Sequence, residues 1–292
     1  MRSADKKNVS FAGATFGTPL WLASGTFGWG VEASSGYYFP RSGAGAYVTK
    51  GLSLKARVGG PQPRLCEVAG GAGLLNAIGL QNLGVDQFIS TLVPRYKAGE
   101  IPVPIWVNVF GEKASEYVSV IEALLRIKGP WLIGFELNVS CPNTAHGGLE
   151  FGSDPAILSA LVKSCAVAAG SLPIMVKLSP SSTLRIEEAS KICEEAGAKA
   201  LSLCNTLVAR SENLARKFGG QSGPALRGVS LAQVNRAAES CGLDICGVGG
   251  VSSAADFRAY SSAGAKVVQI GTANLSNPWV ADEIYEELSE LW

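Results

Sequence analysis

Eight short apolar runs rich in β-forming residues recur along this chain, and helical patterns fill the gaps between the later ones. The runs are LWLASG (20–25), AYVTK (46–50), PIWVNVF (104–110), GFELNVS (134–140), IMVKLS (174–179), ALSLCNT (200–206), DICGVGG (244–250) and VVQIGT (267–272). Between them lie SEYVSVIEALLRIKG (115–129), PAILSALVKSCAVAAG (155–170), RIEEASKICEEAG (185–197), SLAQVNRAAESCG (230–242) and SAADFRAYSSAG (253–264). These segments carry apolar residues at helical spacing, and most end in glycine, as helices often do. Strands that are apolar on both faces and alternate with helices call for a parallel sheet. Eight such units in 292 residues fit an α/β fold, a (β/α)8 TIM barrel. A doubly wound sheet is the competing fold, but no GxGxxG follows the first run. The stretch 54–84, punctuated by Gly and Pro, is too long for a simple βα connection. It reads as an extra hairpin and loop inserted after strand two, over the barrel mouth. With no linker, low-complexity tract or repeat beyond the barrel units, residues 1–292 read as one domain.

Composition narrows the function classes. Hydrophobic residues make up 47% and charged ones 17%, enough apolar surface for a large core. The 25 basic and 24 acidic side chains nearly cancel, so no basic stripe invites nucleic acid. No apolar run reaches the ~20 residues of a membrane span, and the charged N-terminal stretch has no secretory apolar core. Seven scattered cysteines without a CxxC pair fit reduced thiols in the cytoplasm rather than disulfides, zinc or an iron–sulfur cluster. The single histidine, His146, sits in a Gly-rich loop, so a proton-transfer mechanism here points away from histidine.

In a barrel, chemistry gathers at the C-terminal ends of the strands. Those ends read Ser24 and Gly25; Thr49 and Lys50; Asn108; Asn138, Ser140 and Cys141; Lys177; Asn205 and Thr206; Gly249 and Gly250; Gly271 and Thr272. Each asparagine alone is an ordinary turn or cap residue. Three at equivalent strand ends form a set of uncharged donors and acceptors suited to a flat ligand with C=O and N–H groups. Lys50 and Lys177 either snorkel out of the barrel top or sit beside a group that becomes anionic. The glycines ending strands seven and eight are where barrels hold phosphate on bare backbone N–H groups, and FGGQSGPALRG (218–228) adds another glycine loop. The set suggests flavin mononucleotide, FMN, with a flat polar substrate stacked on its ring.

The segment FELNVSCPNTAHGG (135–148) sharpens this. An apolar strand climbs to a thiol bracketed by Asn138 and Asn143. A thiol with an ordinary pKa near ~8.5 is close enough to neutral to act as a general base. Cys141 is that candidate, and the other six cysteines read as small core hydrophobes.

ELNVSCPN resembles the catalytic-loop motif of the class 1 dihydroorotate dehydrogenases. ASGTFG (23–28), VTKG (48–51), PQPR (61–64), NAIGLQN (76–82), VKLSP (176–180), NTL (205–207), GGQSGPAL (219–226), GVGG (247–250) and GTAN (271–274) fall in that family's order. The run from Cys141 to Pro155 is most similar to the catalytic subunit of subtype B. The resemblance implies oxidation of (S)-dihydroorotate to orotate in pyrimidine biosynthesis, with Cys141 removing the C5 proton and the flavin N5 accepting the C6 hydride. It implies substrate contacts at Lys50, Asn76, Ile78, Gly79, Leu80, Asn138, Asn143, Asn205 and Thr206. Flavin contacts are implied at Ala23, Ser24, Gly25, Lys50, Asn108, Asn138, Lys177, Gly223, Gly249, Gly250, Gly271 and Thr272. It also implies a homodimer or a heterotetramer, with a second subunit carrying FAD and a [2Fe–2S] cluster and passing electrons to NAD+. The rival readings are the flavin module of a dihydropyrimidine dehydrogenase, a tRNA dihydrouridine synthase, and a catalytically silent barrel serving as a binding protein.

Overall fold

The computed structural model describes residues 8–34, 43–140, 142–143 and 149–290. Eight parallel strands close into a barrel in chain order: β1 (Leu20–Leu22), β2 (Ala46–Val48), β3 (Ile105–Val109), β4 (Leu132–Asn138), β5 (Ile174–Leu178), β6 (Ala200–Leu203), β7 (Asp244–Val248) and β8 (Val267–Ile270). Each falls inside or beside one of the eight apolar runs. Helices Ala114–Leu125, Pro155–Ala169, Ile186–Glu195, Arg227–Ser240 and Ala254–Ser262 pack outside, close to their periodic segments. The helices Val85–Thr91 and Val93–Lys97 ahead of β3 come from a stretch whose pattern did not announce them.

The barrel interior is filled by Trp21, Val48, Trp106, Met175, Cys246 and neighbours, and it is closed from below by a device unforeseen in the sequence. An N-terminal hairpin pairs Val9–Phe11 with Ala14–Phe16. Its two-residue turn places Ala12 and Gly13 at φ 51° and 84°, the left-handed geometry that matches strand twist. The hairpin inserts Phe11 and Phe16, both essentially inaccessible, beneath the tryptophans. The Phe11 ring lies edge-on 4.8 Å from Trp21, which stacks 5.8 Å from Trp106. Ala12 N–H donates to Asp244 Oδ2 at 2.7 Å, tying the turn to the first residue of β7.

The opposite end carries a four-stranded antiparallel sheet. The expected mouth hairpin is present as Leu65–Val68 paired with Gly73–Asn76. Two strands from the far half of the chain, Phe218–Ser222 and Leu207–Arg210, extend it. Leu65, Asn76, Gly220 and Val208 stand in one row across this sheet. Distant parts of the sequence are thereby brought to one surface above the barrel.

Candidate active site

Between that sheet and the C-terminal strand ends lies a cavity of about 630 Å³. This is within the range of small-molecule and cofactor sites. Its wall contains Ala23, Ser24 and Gly25 after β1, Lys50 after β2, Asn108 of β3, Asn138 of β4 and Lys177 of β5. It continues through Asn205 and Thr206 after β6, Gly249 and Gly250 after β7, Gly271 and Thr272 after β8, and Gly223. Asn76, Ile78, Gly79 and Leu80 close it from the sheet side. Thr49 is fully buried away from the wall, where its Oγ1 accepts the Asn108 N–H at 3.1 Å. Cys141, His146 and the Asn143 side chain lie outside the described residues. Pro142–Asn143 is a short strand paired with Leu149–Glu150.

Beneath the cavity lies a charge that the strand ends do not show. Glu136 lies two residues before the end of β4, so strand alternation turns it to the same face as Asn138, one layer deeper. It is fully buried. Its Oε1 accepts from Asn108 Nδ2 at 2.6 Å and lies 3.6 Å from Lys177 Nζ. Its Oε2 accepts from Gln269 Nε2 at 2.8 Å. Lys177 therefore does not snorkel outward: 7% exposed, it forms an ion pair inside the barrel. Burial of a charge is tolerable when it is paired and hydrogen-bonded, as Glu136 is. Glu136 and Gln269 were readable in principle, because a strand polar at alternating positions facing a barrel interior demands partners.

Above this floor a web of amides joins β4 to β6. Asn205 Nδ2 donates to Asn138 Oδ1 at 3.3 Å and to Ser140 Oγ at 3.0 Å. Ser140 N–H also donates to Asn138 Oδ1 at 3.2 Å, and Thr206 N–H donates to Asn205 Oδ1 at 2.8 Å. With both side-chain oxygens engaged, the Asn138 amide nitrogen has no partner among the described residues. Tyr117 OH donates to the Asn138 backbone carbonyl at 2.8 Å and anchors the strand end from behind.

On the sheet side, Gly79 and Leu80 are consecutive left-handed residues at φ 73° and 58°. A Cβ on Gly79 would stand 2.6 Å from Gly60 N, so this turn requires glycine. A left-handed leucine is strained, and such residues persist where surrounding structure holds them, often at ligand sites. Lys50, half-buried, has its pKa lowered, first by burial and then by the nearby Arg64 guanidinium, while Glu32 opposes the shift. The phosphate side is built of close-packed glycine turns. Gly223, Gly249 and Gly250 have φ of 98°, 134° and 68°, and a Cβ on Gly250 would meet Gly223 O at 2.9 Å. Thr272 Oγ1 bonds Ser222 Oγ at 2.8 Å, fastening the last strand end to the mouth sheet.

Burial pushes Cys165 and Cys204 up to about 12 and raises Cys193, Cys241 and Cys246 as well. Cys165, Cys193, Cys204 and Cys246 are core residues as expected, whereas Cys241 and Cys66 are only half-buried. Among the described residues no group of three His, Cys, Asp or Glu could hold a metal, and no helix is long and apolar enough to cross a membrane.

Fold and site define a (β/α)8 barrel with a polar, cation-bearing cavity at its mouth. The sequence profile of the dihydroorotate dehydrogenase family matches residues 7–292, and this chain belongs to that family. It is 43% identical to the protein of Trichlorobacter lovleyi named dihydroorotate dehydrogenase B (NAD(+)), catalytic subunit, over 93% of this chain and 88% of that one. The Geobacter sulfurreducens protein of the same name is 41% identical over 96% and 91%. An Aquifex aeolicus protein, named provisionally as dihydroorotate dehydrogenase A (fumarate), is 42% identical over 96% and 91%.

Proposed function

We propose that this chain oxidises dihydroorotate to orotate with FMN, in the cytoplasm, as the catalytic subunit of a pyrimidine-forming enzyme. The observation that carries the reading is the convergence of Lys50, Asn76, Asn138, Lys177, Asn205 and Thr206 on one cavity in a chain of this family. FMN is supported by the donor set. Asn108 Oδ1 is buried and has no partner among the described residues, as suits an acceptor waiting for a ring N–H. The packed glycines at 223, 249 and 250 keep side chains off the wall where a phosphate would meet backbone N–H groups.

When bound, FMN supplies the acceptor for the two electrons that leave C6 as hydride. The chain's own residues do the rest. Cys141 takes the C5 proton, so the substrate loses one proton and one hydride and gains a C5–C6 double bond. Asn76, Asn138, Asn143, Asn205 and Thr206 orient the ring amides, while Ile78, Gly79 and Leu80 offer backbone to the carboxylate. Lys50 adds a cation beside that anionic substrate. Ala23, Ser24, Gly25, Lys177, Gly271 and Thr272 complete the cofactor's wall.

Electrons pass on to NAD+ through a partner subunit carrying FAD and [2Fe–2S], in a heterotetramer built on a homodimer of this chain. The partner and NAD+ rest on the relatives' name, dihydroorotate dehydrogenase B (NAD(+)), catalytic subunit, while the FAD, the [2Fe–2S] cluster and the assembly rest on the resemblance to subtype B. Fumarate is the second reading, favoured by the name of the Aquifex relative. The test is anaerobic addition of dihydroorotate to the purified yellow protein. Bleaching of the flavin by dihydroorotate and not by dihydrouracil is the expected result. A protein that stays colourless after incubation with FMN sinks the reading. Co-purification of an iron–sulfur flavoprotein separates NAD+ from fumarate as final acceptor.

A further inference from the structure

Glu136 does not line the cavity, yet it contacts two residues that do. Its three partners, Asn108 Nδ2, Gln269 Nε2 and Lys177 Nζ, are all donors. An ionised carboxylate only accepts, so its contacts fix which end of each amide faces it. Asn108 must therefore turn its Oδ1 away from Glu136. That oxygen is buried, without a partner among the described residues, and would lie 3.1 Å from a Cβ on Gly51, another wall residue. The floor is also balanced in charge. Lys177 alone would place one positive charge under the cavity, and Glu136 at 3.6 Å offsets it where both side chains are buried.

We propose that Glu136 is a positioning residue for the cofactor, fixing Asn108 as a hydrogen-bond acceptor toward the flavin ring and holding the flavin potential down by offsetting Lys177. The inference rests on FMN as the bound group. An acceptor fixed in place favours a ring that keeps its N–H. An anion one layer below opposes the arrival of electrons, so the reduced cofactor is a stronger donor to whatever acceptor follows.

The test compares the holoenzyme with Glu136→Gln and Glu136→Asp by midpoint potential of the bound flavin, FMN dissociation constant and melting temperature. Glu136→Gln keeps shape and removes charge. Its potential should rise, shifting the reduced-to-oxidised ratio at fixed potential by about tenfold, or ~30 mV for a two-electron couple. FMN affinity should fall, because the glutamine can present an N–H to Asn108 and release its amide to flip. Glu136→Asp should keep the potential near that of the native protein. Gln269→Met removes a donor remote from the cavity wall and leaves Glu136 less compensated, so its potential should move the other way. This arm decides the matter if Glu136→Gln fails to fold. Folded, flavin-loaded variants whose potentials match the native protein overturn the role of Glu136 and leave the FMN reading intact. Native protein that never takes up FMN overturns both.

Discussion

Asn205 holds Asn138 in place: its amide nitrogen lies 3.3 Å from Asn138 Oδ1 and 3.0 Å from Ser140 Oγ. Asn205→Asp is nearly isosteric but turns this donor into an acceptor facing two oxygens. Losing one hydrogen bond and leaving its partner unsatisfied costs ~1–3 kcal/mol, so kcat/KM for dihydroorotate should fall ~10- to 100-fold. FMN content should fall less than kcat/KM, since Asn205 is assigned to the substrate and reaches the flavin only through Asn138. Stopped-flow bleaching and flavin stoichiometry check both halves, and a variant with native kcat/KM removes Asn205 from substrate recognition.

Gly220 touches Thr206 from the mouth sheet, and a Cβ there would stand 2.1 Å from Thr206 Oγ1. Gly220→Ala must push Thr206 or the strand aside, at a cost of ~1–3 kcal/mol typical of overpacking. The expected outcome is a KM raised by roughly tenfold or more with a smaller change in kcat. Steady-state kinetics that leave KM untouched would show that Thr206 does not meet the substrate.

Cys141→Ala should slow anaerobic flavin reduction by ~10²–10⁴, the usual loss when a general base is removed. Cys141→Ser should retain part of the rate, because a hydroxyl still occupies the position. Unaltered bleaching in Cys141→Ala would assign the proton to another group.

Lys50 has a lowered pKa because burial disfavours its charge and Arg64 repels it. Affinity for orotate, an anion, should therefore decline with rising pH earlier than an ordinary lysine would allow. Removing the repulsion with Arg64→Gln should raise the Lys50 pKa and move that decline to higher pH. Fluorescence titrations of orotate across the alkaline range read this directly, and a curve that stays put assigns the decline to a different group.

Phe11 plugs the lower end of the barrel against Trp21. Phe11→Ala should cost ~3–5 kcal/mol of stability as a large buried aromatic is lost. KM for dihydroorotate should hold, since residues at this end of a barrel serve stability. Urea unfolding alongside kinetics separates the two, and a large KM change would couple the plug to the mouth.

The barrel was legible because each strand carries its own signal, an apolar run buried on both faces, and the runs of β3 to β7 are each followed by a segment with helical periodicity. The polar strand ends were legible for a related reason: Asn108, Asn138, Lys177 and Asn205 interrupt patterns that should stay apolar. Glu136 escaped because attention to the last residue of each strand overlooks the position two before it. Only the closed barrel makes Gln269, more than a hundred residues away, its neighbour. The strands Leu207–Arg210 and Phe218–Ser222 were unreadable for the same cause. Phe218–Ser222, glycine-rich and half-exposed, acquires strand geometry by pairing with Gly73–Asn76, and the short Leu207–Arg210 then pairs along it. The N-terminal hairpin is equally non-local, since its phenylalanines find their place only under Trp21 and Trp106.

The sheet over the mouth separates two kinds of inheritance. Residues assigned to the cofactor belong mostly to the barrel rim, while Asn76, the 78–80 turn and the row from Leu65 to Val208 belong to the added sheet. A descendant of this chain could acquire a new ring substrate by rewriting two insertions, at 54–84 and 205–222, with the charged floor beneath left untouched. On these assignments the added sheet shares the choice of what is oxidised with Lys50 and Asn138 on the rim, while the charged floor beneath serves only the machinery that receives the electrons.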